Sequence, residues 1–157
     1  METIKLIVPG VPIVKKNTKK MALYRTDKHG RKIPLDRPAT YYSTAYTEWA
    51  KGAIQKCINL RRELEKNGVF VPIQEQINLK CHFYFDRNTV VDLSNLYEGI
   101  QDVLAGNAGV YEKSIDKKYY QIIEDDSVRF IGSHDGSRFM FDHINPRTEV
   151  YLEPFKM

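Results

Sequence analysis

From Ile77 to Phe85 the chain alternates: Ile77, Leu79, Cys81, Phe83 and Phe85 are separated by Asn78, Lys80, His82 and Tyr84. This period of two predicts a strand with one face in a core and the other semi-polar. The period then changes. Leu93, Leu96, Ile100, Val103 and Leu104 recur at three- and four-residue steps, which predicts a helix with one buried stripe, capped by Ser94 or Asn95. The same spacing in Tyr46, Trp49, Ala50, Ala53, Ile54, Cys57, Leu60 and Leu64 predicts a longer helix from Ser43 to Leu64, ended by Asn67-Gly68. Thr3–Val8 reads as a strand closed by Pro9-Gly10-Val11-Pro12. Further on, Glu112–Tyr120 reads as a short helix and Val128–Ser133 as a strand. A tight turn follows at Asp135-Gly136, with Arg138–Phe141 pairing back and Thr148–Glu153 as the last strand. The order predicts a single domain of α/β or α+β class, a small mixed sheet packed against two main helices.

A length of 157 residues suits one such core. No apolar run approaches the ~20 residues of a membrane span. The N-terminus lacks the basic-then-apolar plan of a signal peptide, so a cytoplasmic location is expected. Cys57 and Cys81 fall on core faces and read as buried reduced thiols. They cannot make a zinc site alone, and the four histidines show no ligand spacing with them.

Charge divides the chain. Residues 1–66 carry a net charge of +9 and residues 67–157 a net charge of −5. Much of the excess lies in 15–37, where Lys15, Lys16, Lys19, Lys20, Arg25, Lys28, Arg31, Lys32 and Arg37 face only Asp27 and Asp36. No period emerges there, and Lys28-His29-Gly30-Arg31 looks like the tip of a loop or a loose hairpin. A basic, exposed loop suits a nucleic-acid backbone, since each neutralised phosphate releases counterions; the alternative is a solvated surface loop.

The acids fall in two places. Asp92 precedes the second helix, with Asn95, Glu98 and Asp102 on its expected wet face, and Glu124-Asp125-Asp126 follows the apolar pair Ile122-Ile123. Brought together, these carboxylates are the oxygen ligands of a hard cation. Kept apart, they are a helix cap and a turn. His134 and Asp135 either add to that site or only form a turn, and His82 reads as a satisfied surface histidine.

Asp92-Leu93-Ser94-Asn95-Leu96, a helix ending near Leu104, a glycine-bearing link and then Asp125-Asp126 before a strand resemble the RusA-like Holliday junction resolvases, the crossover junction endodeoxyribonucleases. Val8-Pro9-Gly10-Val11-Pro12 followed by Lys15-Lys16-Asn17 extends the resemblance over most of the chain. The segments 111–120 and 133–138 are not part of that pattern. The resemblance implies a homodimer that nicks branched, four-way DNA in recombination and repair by magnesium-dependent hydrolysis, with manganese substituting. It implies catalytic and metal-binding roles for Asp92, Asp125 and Asp126, Asp126 being the better match of the pair. Asn17 resembles the family's N-terminal asparagine, and Lys15, Lys16, Lys19, Lys20, Arg25, Arg31 and Lys32 are the expected DNA contacts. Two departures stand out. Ser94 replaces the motif's second aspartate and is a weaker, neutral metal ligand, whereas Glu98 replaces a family lysine and is positioned to restore the charge. If it does not, the chain binds junctions without cutting them. A general or RNA-directed nuclease on a related scaffold is a further reading. Tyr41, Tyr42, Tyr119 and Tyr120 are candidates for an interface or for base stacking.

Overall fold

The computed structural model describes residues 1–15, 19–110 and 115–156. Its elements are β1 (Ile4–Pro9), β2 (Lys19–Thr26), β3 (Lys32–Tyr42), α1 (Thr44–Lys66), β4 (Ile77–Phe85), α2 (Leu93–Leu104), a 3-10 turn at Lys117–Tyr119, β5 (Ile131–Ser133), β6 (Arg138–Phe141) and β7 (Arg147–Pro154). This is the mixed α+β architecture that the periodicity predicts.

The main sheet runs β1-β7-β4-β5, with β6 also on β4. β7 pairs antiparallel with both β1 and β4. β5 and β6 both run parallel to β4, at Ile77–Asn78 and at His82–Phe85 respectively. The expected hairpin of Arg138–Phe141 back onto the preceding strand therefore does not form. Gly136, at φ +80°, turns the chain between two pieces that continue along the same edge of β4. The strand expected over Val128–Ser133 is also shorter, because 127–130 form turns in which Ser127 O accepts from both Phe130 N and Ile131 N.

One face of the sheet is apolar and carries both helices. Ile4, Leu6 and Val8 from β1, Leu79, Cys81 and Phe83 from β4, and Val150 and Leu152 from β7 are buried there against α1 and α2. Ser43 Oγ caps α1 by accepting from Tyr46 N at 3.2 Å. Cys57 and Cys81 are free, buried thiols; burial pushes Cys57 up to about 12 and Cys81 higher still. α2 begins two to three residues earlier than expected. Asp92 is its N-cap residue, but its side chain makes no capping hydrogen bond. Leu93, expected in the buried stripe, is 37% exposed. The first turn is buried only from Leu96 onward, which is 1% exposed.

The opposite face of the sheet is polar and laced with ion pairs. Glu149 is 8% exposed. It accepts from Tyr151 Oη at 2.6 Å and Arg147 Nε at 2.8 Å, and Lys5 Nζ lies 3.2 Å away. Burial alone would raise its pKa; these donors outweigh burial and bring it down to about 2 from 4.5. A depressed carboxylate stabilises the fold above its unfolded pKa and loses that contribution as pH falls through the folded value. Stability is therefore expected to fall as pH drops from about 4.5 towards 2. Urea unfolding followed against pH checks it: Glu149→Gln should flatten that part of the acid limb. His82, on this face, packs against Tyr151 with ring centroids 5.2 Å apart, a structural role as expected.

Among the described residues, no helix is long and apolar enough to cross a membrane.

Candidate nucleic-acid interface and acidic site

Of the two readings of the basic stretch, loop or loose hairpin, the hairpin holds: it is a two-stranded antiparallel ribbon. β2 and β3 pair from Lys19–Tyr42 at the root to Thr26–Lys32 near the tip, with an irregularity between Ala22 and Tyr24. Asp27 builds the tip: its Oδ1 accepts from His29 N at 2.8 Å and Arg31 N at 2.9 Å, and its Oδ2 from Arg31 Nε at 2.9 Å. Gly30, at φ +78°, supplies the left-handed residue the turn requires. The ribbon forms a sheet of its own, separate from the main one. Lys20, Arg25, Arg31 and Lys32 are exposed along it. Lys19 opens β2; Lys16 and Asn17 lie outside the described residues.

At the root the picture departs from expectation. Lys15 is 6% exposed, so it is neither a phosphate contact nor solvated surface. Its ammonium hydrogen-bonds and ion-pairs with Asp102 Oδ2 on α2 and lies over the rings of Tyr42 and Tyr46, at 5.2 and 5.9 Å from their centroids. Burial would lower its pKa, but the bond and charge of Asp102 outweigh that and hold it above the ordinary lysine value. Asp102, expected on the wet face of α2, is half-buried. Tyr46 is fully buried and donates to Ala108 O at 3.1 Å. Gly109 lets Tyr42 close over this point, since a Cβ there would meet Tyr42 Cε2 at 2.7 Å. The ribbon is thus anchored to the C-terminal half of α2.

The Asp125–Asp126 pair lies in the same region. Ile122 N and Ile123 N donate to Leu104 O, tying the segment before the acids to the last residue of α2. Asp126 is raised above the usual carboxylate range by partial burial, by its hydrogen bond to Asp125 and by the negative charges of Asp102 and Asp125. Asp125 is held low by the Asp126 backbone N–H, by Ser127 and by Asp126, with Lys117 adding positive charge. The two shifts run in opposite directions, Asp125 down and Asp126 up, as expected of adjacent carboxyls joined by a hydrogen bond.

Asp92 keeps different company. It is exposed at the start of α2, where Asn95 Nδ2 donates to its Oδ2 at 3.4 Å. Ten residues of helix separate it from Asp102, about 15 Å along the axis. Ser94 is exposed beside it; Glu98 is half-buried one turn before Asp102, and both Glu98 and Asp102 act electrostatically on Tyr46. Asp125 and Asp126 are therefore brought together with each other and with the Asp102 end of α2, whereas Asp92 and Ser94 occupy its other end. Among the described residues, no group of three or more His, Cys, Asp or Glu is arranged to hold a metal ion.

Other candidates have structural partners. His134 stacks on Tyr97 at 4.0 Å, with Nδ1 at 2.9 Å from Leu79 O and Nε2 at 3.1 Å from Gln101 Nε2. Tyr120, a candidate for an interface or base stacking, is instead buried and donates to Gly106 O at 3.0 Å. Tyr41 and Tyr119 are exposed. Of the segment expected to be helical over Glu112–Tyr120, Lys117–Tyr119 forms a single 3-10 turn, and 112–114 lie outside the described residues.

The pairing of Lys15 with Asp102 was not legible in the sequence because it joins residues 87 apart. The only hint was a lysine at the inner end of a basic run and an acid one helical turn beyond Glu98. Compared with known proteins, the chain matches no family model, and no curated protein matches it.

Proposed function

We propose that this protein is a magnesium-dependent, structure-selective endodeoxyribonuclease of RusA-like type that acts on branched DNA as a homodimer. One observation carries the reading: a basic ribbon is rooted, through Lys15, Tyr42 and Asp102, beside a pair of carboxylates that repel one another. Mutual repulsion that a proton relieves is also relieved by a divalent cation, and magnesium accepts one or two carboxylates while keeping several waters. Asp125 and Asp126 thus fit such an ion, and Asp92 and Ser94 are not needed for it. When bound, the ion would supply an activated water and offset charge on the phosphate. The exposed cations of the ribbon hold the DNA backbone in register beside the pair. Lys117, close to Asp125, is a further positive charge there.

A second reading is a junction-binding protein that does not cut. Lys15 already neutralises Asp102, and among the described residues no third carboxylate joins the pair in a metal-holding group. Incubation with a synthetic four-way junction in magnesium, set against gel shift in calcium or chelator, separates the two. Paired nicks are expected for the enzyme; a shift in both conditions without nicks leaves the binding protein. Competition by linear duplex and by RNA tests the choice of substrate.

A further inference from the structure

The ribbon carries more than charge. Met21, Leu23 and Tyr24 are 68%, 54% and 55% exposed, among the exposed cations Lys20, Arg25 and Lys32. The ribbon forms a sheet of its own, apart from the main sheet, and large apolar side chains left exposed at neighbouring positions of one strand, among cations, are available to a partner. The cations identify the occupant. Residues 19–42 hold seven Lys and Arg against two Asp, and Asp27 is already matched by Arg31. That charge complements phosphate, and between the phosphates of DNA lie apolar base faces. The major groove admits a two-stranded ribbon, and apolar side chains pushed between base steps unstack them. At a branch point stacking is already interrupted, so opening it costs least. Position agrees: Met21 and Leu23 are two and four residues up β2 from Lys19 at the root, about 7 and 13 Å along the strand. They therefore lie close to the root, where Tyr42 meets Lys15 and, through it, Asp102.

We infer, on the branched-DNA reading given above, that the ribbon inserts Met21 and Leu23 against the base faces at the branch point and holds them unstacked. The test uses the full chain in calcium, with a four-way junction carrying 2-aminopurine either at the branch point or in the middle of one arm. Wild-type protein should raise fluorescence at the branch point and not in the arm. The variant Met21→Ser/Leu23→Ser keeps every cation. It should bind with an unchanged salt slope, which would otherwise fall by about 0.9 for each phosphate no longer neutralised, and the fluorescence rise should vanish. An undiminished rise with that variant overturns the inference. So does a change from dimer to monomer by light scattering with the rise intact, which would give this face to a second copy of the chain. Wild-type binding in calcium and nicking in magnesium without any rise would overturn the inference and leave the nuclease standing; absence of binding in calcium and of nicking in magnesium would remove the proposed function and the inference with it.

Discussion

Replacing Lys15 by methionine is expected to destabilise the fold by about 3–5 kcal/mol, the cost of leaving a buried charge without its partner. For a chain of this size that is a fall in Tm of roughly 6–20 °C. Methionine keeps most of the side-chain volume over Tyr42 and Tyr46, so reduced packing contributes little and the effect isolates the charge. Asp102 would be left facing the buried Tyr46 with no cation against it. The double variant Lys15→Met/Asp102→Leu should recover most of the stability, because removing both partners of a buried pair is often neutral. Thermal unfolding of the wild type, both single variants and the double variant closes the cycle. An unchanged Tm in Lys15→Met would mean that the pair does not anchor the ribbon, and with it would go the reason for placing the basic arm beside the acids.

Asp126→Asn is expected to reduce magnesium-dependent nicking by about a hundredfold or more, the scale of removing one charged element of a preorganised site. Junction binding in calcium should persist, since the ribbon is untouched and one negative charge is removed. Nicking rate and gel-shift midpoint, measured on the same preparation, check both halves. Asp92→Asn is the informative comparison. The motif singles out Asp92, yet it sits at the far end of α2, hydrogen-bonded to Asn95, so a smaller loss of activity is expected there than at Asp126. Equal losses would put both carboxylates at one ion.

These two expectations draw on different layers of information. α1 and β4 were legible because each has one face in the core: burial writes a period of 3.6 or 2 directly into the order of residues. The start of α1 near Ser43 and its stop at Asn67-Gly68 were legible because capping chemistry is local too. The ribbon was not. Both its faces meet solvent, so nothing forces Lys19–Thr26 to alternate, and only the Asp27–Gly30 turn announces it. The parallel docking of Arg138–Phe141 on β4 was hidden because a tight turn predicts a hairpin unless the neighbouring strand is already paired elsewhere.

The sequence by itself determined the fold class, the two helices, the core strands and the separation of positive from negative charge, since all of these follow from local periodicity and composition. Only the tertiary structure decided which charges meet. It buried Lys15 against Asp102, set Asp125 and Asp126 beside that end of α2 and left Asp92 at the other, because electrostatic partners are chosen by distance in space, and distance along the chain carries no record of it.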